Sequence, residues 1–168
     1  NRQTDKRAKS LENNEKYLRV NAIKNGTVLD HIPSDQIFRV IDILGINGST
    51  NPVTIGLNLD SKSMGKKGII KMAERFFKDE ELNKVALVAP NACVNIIREF
   101  EVIEKRVLTI PHTIIGIAKC INPMCVTNHQ EIPTKFTTII KGEEIKLLCS
   151  YCEKTTDARH LKIISNSH

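Results

Sequence analysis

"KCINPMCVTNHQEIPTKFTTIIKGEEIKLLCSYCEK", residues 119–154, carries four of the chain's five cysteines in two close pairs on either side of a strand-like stretch. The spacing is C-x4-C, twenty-three intervening residues, then C-x2-C, and each pair fits a turn whose backbone can aim both sulfurs at one point. Two such turns brought together predict a four-coordinate tetrahedral site with Cys120, Cys125, Cys149 and Cys152 as ligands. Zn2+ suits four thiolates, and a shell closed by four protein ligands leaves no position for water or substrate, so the expected role is structural. Four thiolates also suit iron, and a metal-free or disulfide-paired set is the other alternative. His129 and His160 read as surface residues, and Cys93, inside "ACVNII", as a small core hydrophobe.

Everything after Cys120 reads as short strands and turns, and the pattern of the preceding region breaks at Pro111, which predicts a domain boundary near residues 106–113. The stretch 113–168 is close to the size below which a domain needs a metal or disulfides to hold its small core. A structural zinc contributes on the order of 10 kcal/mol of apparent folding free energy, enough for that task.

Upstream, the chain changes character twice. Residues 1–16 are polar and charged with Leu11 as the one large apolar side chain, the composition of a disordered arm. From Tyr17, "YLRVNAIKNGTVLDHI" alternates as a strand, a tight turn at Asn25-Gly26 and a second extended stretch closed by Pro33. "SDQIFRVIDILG" then sets Ile37, Phe38, Val40, Ile41 and Leu44 at helical spacing, with Ser34 as expected N-cap and Gly45 just past the end. "PVTIGLNLD" is a strand, "SKSMGKKG" a turn-rich basic connector whose Gly65 and Gly68 read as turn glycines, and "IIKMA" a third strand. A short helix around "DEELNK" leads into "VALVAP", and "CVNII" and "FEVIEKRV" are extended. The order strand, helix, strand, strand, helix, strand predicts an α+β fold: a ferredoxin-like sandwich with two helices on one face of an antiparallel sheet. The small C-terminal domain is expected to be all-β and zinc-ribbon-like.

A formal charge of +6 favours anionic partners. An aromatic content of 4% with no Trp leaves few platforms for stacking bases, which argues against nucleic acid. No run approaches the roughly 20 apolar residues of a membrane span, and the first residues lack the apolar core of a secretory signal, so no membrane partner and a cytoplasmic location are expected. There is no Walker A loop, no G-x-G-x-x-G and no nucleophile paired with a base. Candidate phosphate-holding residues are Lys66, Lys67 and Lys71, His31, and Lys105 with Arg106.

Taken together, "LRVNAIKNGTVLDHIP", "TIGLNL", "MGKKGIIKM", "APNACVNII", "EVIEK" and the quartet ending "CSYCEK" resemble, in content, order and spacing, the regulatory chain of aspartate carbamoyltransferase. The resemblance covers residues 17 to about 164. It implies a non-catalytic chain with an effector domain over 17–108 and, over 113–168, a zinc domain that grips the catalytic chain. The effectors implied are nucleoside triphosphates, CTP, ATP and UTP, controlling the committed step of pyrimidine biosynthesis. Carried over by the resemblance, Val20, Asn21, Ala22 and Ile23 face the base together with Ile97 and Phe100. Asp30 and Lys71 hold the ribose; Lys105, His31 and Asn95 meet the phosphates; Val28 and Val102 line the apolar side. The resemblance also implies regulatory-chain homodimers, paired through their N-terminal domains, that bridge catalytic trimers. Asn21 stands where some members have an acidic residue and Phe100 where some have Tyr, which bears on nucleotide preference.

Overall fold

The computed structural model describes residues 22–164. The expected arm, the strand from Tyr17, and Val20 and Asn21 lie outside the described residues. Seven elements follow in the order read from the sequence: β1 (Gly26–Ile32), α1 (Ile37–Leu44), β2 (Val53–Ser61), β3 (Gly65–Ala73), α2 (Asp79–Val88), β4 (Cys93–Arg98) and β5 (Glu101–Val107). They form one antiparallel sheet in the order β2-β3-β1-β4-β5. This is the expected ferredoxin-like arrangement with β5 added at the edge.

Alternation explains which face is covered. Leu29 of β1 lies opposite Ile70 of β3 and Val94 of β4, and all three are fully buried in one cluster with Val40, Ile41 and Leu44 of α1 and Leu82 and Val85 of α2. Each such side chain contributes about 1.5–3 kcal/mol on leaving water. The next residues in register, Val28, Lys71 and Asn95, therefore lie on the face without helices.

Four local expectations are corrected. Ser34 does not cap α1: residues Ser34–Gln36 form a 3-10 turn, and the Ser34 hydroxyl accepts from the Asn58 amide at 3.2 Å. Asn58 sits at a bulge in β2 with φ 55°, where its amide needs a partner outside the ladder. "SKSMGKKG" is not a connector, because β2 and β3 continue through it to a tight turn at residues 62–64, which puts Lys66 and Lys67 on a strand. Gly65, with φ 74°, is a turn glycine as expected. Gly68 lies inside β3, where a Cβ would come within 2.4 Å of Ile37 Cδ1, so its smallness lets α1 close onto the sheet. Gly45 ends α1 in the left-handed conformation, as read. Phe38, counted with the apolar stripe, points outward and is 64% exposed.

α2 runs through "VALV". Its Glu81 carboxylate accepts from the Lys78 amide at 3.0 Å, and Asp79, Glu80 and Glu81 in the first turn complement the helix dipole.

The remaining strands are β6 (Thr113–Ile115), β7 (Ala118–Lys119), β8 (Lys135–Lys141), β9 (Glu144–Cys149), β10 (Thr155–Asp157) and β11 (Lys162–Ile163). They make a four-stranded antiparallel sheet, β10-β9-β8-β6, and a two-stranded ribbon, β11-β7. The core here is small: Ile114, Phe136, Leu147 and Leu161 pack with three of the cysteines and with Leu87, contributed by α2.

Leu87 is one tie between the two regions. Arg39 of α1 is another, donating to the carbonyls of Arg159 and Leu161 as well as to Gln36 Oε1. The intervening segment is pinned too, since the Thr138 hydroxyl and amide donate to the carbonyls of Pro111 and His112, each at 2.8 Å.

Replacing Gly68 by Ala should destabilise the chain by about 1–3 kcal/mol through overpacking against Ile37, read as a lower urea midpoint. Adding Ile37→Val should recover part of the loss, which identifies the clash rather than strand propensity as its cause.

Candidate metal centre and helix-free sheet face

The four cysteines expected as ligands converge. Their Sγ atoms all lie within 4.8 Å of one another, with Cys120 to Cys152 at 3.6 Å and Cys125 to Cys149 at 3.8 Å. These separations are far beyond the about 2.05 Å of a disulfide, and all four residues are free thiols, as is Cys93.

Two backbone knuckles aim them. In the first, the Cys125 amide donates to the Asn122 carbonyl at 3.0 Å, while Asn128 Nδ2 donates to the carbonyls of Cys120 and Asn122 at 3.0 and 2.8 Å. In the second, the Glu153 amide donates to the Cys149 carbonyl and the Cys149 amide to the Lys154 carbonyl, both at 3.0 Å, with Glu153 at φ 61°.

Amide donors reach the sulfurs themselves. Burial pushes the Cys120 thiol up to about 12, with its sulfur neighbours adding to the rise. Burial also disfavours a Cys152 thiolate, but the Lys154 amide, the Asn122 side chain and the thiols of Cys120 and Cys149 together bring it down to about 6. Burial likewise disfavours a Cys125 thiolate, but hydrogen bonds from Thr127 and the neighbouring thiols hold it below the usual thiol range, whereas burial raises Cys149. Two thiols thus give up a proton more readily than usual, and Cys120 and Cys149 need a cation at the centre of the quartet. Four clustered cysteine sulfurs, three of them on buried residues, are the donor set of a closed metal site.

His129 and His160 are exposed and outside the quartet, as read; His129 Nε2 lies 2.8 Å from the Pro123 carbonyl. Cys93 is buried, but on the helix-free face opposite Asp30 rather than in the helix-side core.

That helix-free face gathers most of the other expected residues. Lys71, Val28, Asn95 and Lys105 stand in one row across four strands, each directly opposite the next, and Thr54 extends the row at the β2 end. One row along, Ile97 faces Val102 across β4 and β5; two residues from Val28 lies Asp30. Lys105 has no ion-pair partner among the described residues, whereas Arg106 binds Asp79 at 2.8 Å. Burial lowers the Lys71 ammonium below the usual lysine range, and Asp30 partly offsets this. His31 adopts φ 57° at an irregularity in β1; its buried Nδ1 lacks a hydrogen bond and lies 3.7 Å from Asp30 Oδ2. Ala22 is exposed and Ile23 half-buried at the start of the described chain.

Phe100 is not on a strand. Glu99 and Phe100, with φ 48° and 66°, form the two-residue turn between β4 and β5.

Two sets of contacts beside these residues were not read from the sequence, which had Lys67 only as a candidate phosphate holder. Lys67 ion-pairs Asp30 at 2.8 Å and fixes that carboxylate beside the row. Asn25, read only as a turn residue, accepts the Glu99 amide at 3.1 Å and donates to Glu74 at 3.3 Å, while the Lys24 carbonyl accepts the Phe100 amide at 2.9 Å. These contacts hold the strained turn at the rim of the face. Only the Asn-Gly pair hinted at them.

Comparison with known proteins agrees with this division. Residues 18–109 match the family model of the aspartate carbamoyltransferase regulatory chain, allosteric domain, and residues 112–162 that of its metal-binding domain. The chain is 48% identical over 154 residues to the aspartate carbamoyltransferase regulatory chain of Phocaeicola vulgatus, covering 92% of this chain and 99% of that one. It is 47% identical to the one from Bacteroides thetaiotaomicron over 92% and 100% of the two chains, and 47% identical to the one from Pyrococcus abyssi over 86% and 95%. These relatives are regulatory rather than catalytic chains, which is the role the resemblance implied. The chain therefore belongs to the family of aspartate carbamoyltransferase regulatory chains, with an allosteric domain followed by a metal-binding domain.

Proposed function

We propose that this regulatory chain binds nucleoside triphosphates on the helix-free face of its first domain and holds Zn2+ between the four cysteines of its second. The single observation that carries the effector reading is the row Lys71, Val28, Asn95 and Lys105, with the Asp30–Lys67 pair beside it and the ammonium of Lys105 without an ion-pair partner among the described residues. A carboxylate suits ribose hydroxyls, lysines suit phosphates, and Val28, Ile97 and Val102 supply an apolar wall. Val20, Asn21, Ala22 and Ile23, with the turn at Phe100, would bring backbone groups to the base; His31 and Asn95 join Lys105 at the phosphates.

Zinc is supported by the all-thiolate donor set, and the two sulfur contacts of 3.6 and 3.8 Å fit a tetrahedron of about 2.3 Å Zn–S bonds, whose edges are about 3.8 Å. The ion, when bound, cross-links Cys120, Cys125, Cys149 and Cys152 and supplies folding free energy rather than chemistry. The domain boundary lies between 108 and 113 in this reading, and the chain works in the cytoplasm.

The second domain would grip the catalytic chain, and the first would pair with a second copy to bridge catalytic trimers. Strand β2, at the edge of the sheet among the described residues, supports pairing, since it exposes Ile55 and Leu57. Effector binding would bias two arrangements of the assembly with a typical coupling of about 1–3 kcal/mol, controlling the committed step of pyrimidine biosynthesis. Arg39 and Leu87, which join α1 and α2 to the metal-binding domain, offer a packed route for that bias.

Calorimetric titration of the zinc-loaded chain with CTP, ATP and UTP tests the effector site. Lys105→Ala should raise Kd about tenfold or more while metal content stays at one ion per chain; unchanged binding would overturn the assignment. In the complex with the catalytic chain, Arg39→Ala should keep CTP affinity within about threefold of the parent yet flatten the activity response. Treatment with a mercurial should release one zinc per chain and dissociate the complex, followed by sedimentation. A red, visibly absorbing protein would assign iron instead.

A further inference from the structure

A cavity of about 470 Å3 opens beside the metal centre, on the β7–β11 ribbon, and its lining includes Lys119, Asn128, His129, Thr156, His160 and Lys162. It falls in the size range of small-molecule sites. Three features set it apart from ordinary surface. Lys162 lies directly opposite Lys119 in the ribbon, a like-charge cross-strand pair that costs stability unless an anion neutralises it. No carboxylate lines the cavity, and neither lysine has an ion-pair partner among the described residues. Thr156 is 3% exposed, yet its hydroxyl has no hydrogen-bond partner; Asn128 Oδ1 is equally orphaned, because both bonds of that side chain come from Nδ2. Buried polar atoms without partners cost about 1–3 kcal/mol each, so they mark a place where a ligand is expected.

The hydrogen bonds to the sulfurs come from groups other than these lysines. Backbone amides reach every sulfur, from Asn122, Thr127, Tyr151, Cys152 and Lys154. The two lysines are left to be met from outside.

We propose that this cavity is a second anion site, separate from the nucleotide face, that takes a small phosphate-bearing anion between Lys119 and Lys162. The Thr156 hydroxyl donates to a phosphate oxygen. The unpaired Asn128 Oδ1 accepts the O–H of a singly protonated phosphate, which a dicarboxylate ionised at neutral pH lacks. Phosphate at a metal-binding domain would tie the grip on the catalytic chain to phosphate concentration.

The test is an amide and histidine NMR titration of the zinc-loaded full chain with inorganic phosphate and, separately, glycerol phosphate, succinate and chloride at matched ionic strength. Saturable shifts at residues 119, 156, 160 and 162 with phosphate are expected; an equal response to glycerol phosphate identifies phosphomonoesters as the natural class, and a weaker one free phosphate. Lys162→Gln should raise Kd at least tenfold, and Thr156→Val about threefold, each with zinc content retained to show an intact fold. Equal shifts with chloride would reduce the effect to screening, and equal shifts with succinate would remove the phosphate selectivity; either overturns the proposal. So would silence toward phosphate with the same signals moving only when the catalytic chain is added, which would make the cavity a protein contact.

Discussion

Pairing of β1 along both its edges organises the first domain. Because Leu29 is bracketed by Ile70 and Val94, the helices have one apolar face to cover; because Val28 is bracketed by Lys71 and Asn95, the opposite face must carry polar side chains in register. A one-residue slip of β1 would exchange the two sets, burying Asp30 among aliphatic side chains. The register is held by what surrounds it. Gly68 admits Ile37 at the helix side, and the Asp30–Lys67 pair stitches β1 to β3 on the other.

The second domain is organised by convergence rather than by area. Its sheet brings few large side chains inward, and one of them, Leu87, is borrowed from α2. A domain of this size holds its shape only if something replaces the missing core, and four sulfurs aimed at one point are that replacement. Borrowing Leu87 has a mechanical side as well. With the Arg39 contacts to Arg159 and Leu161, it makes the metal-binding domain an extension of the helix layer, so a displacement of the sheet has a packed path to the cysteines.

Much of this was legible in the chain itself. Period-two and period-3.6 patterns revealed the order of strands and helices, and Gly45 announced the end of α1. The cysteine spacing announced the clustered quartet, since C-x4-C and C-x2-C each make a turn. The errors share one cause. Ser34, Gly68 and the "SKSMGKKG" stretch carry residues that favour caps and turns locally, but each was redirected by a long-range partner: Ser34 by the Asn58 amide, Gly68 by Ile37, and the lysines by a hairpin longer than its glycines suggested. Propensity is a local quantity, and bulges, close helix approach and hairpin length are not.

By itself the sequence determined the antiparallel α+β class, the cysteine quartet of the metal-binding region and the family, because these rest on spacing and pattern along the chain. Only the tertiary structure decided that Lys67 pairs with Asp30 while Lys105 has no ion-pair partner among the described residues, that Asn25 ties down the turn at Glu99 and Phe100, and that Lys119 meets Lys162 across the ribbon. Those relations join residues tens of positions apart. Their physical origin is strand register, which is set when whole faces are buried together and leaves no mark on any single stretch of sequence.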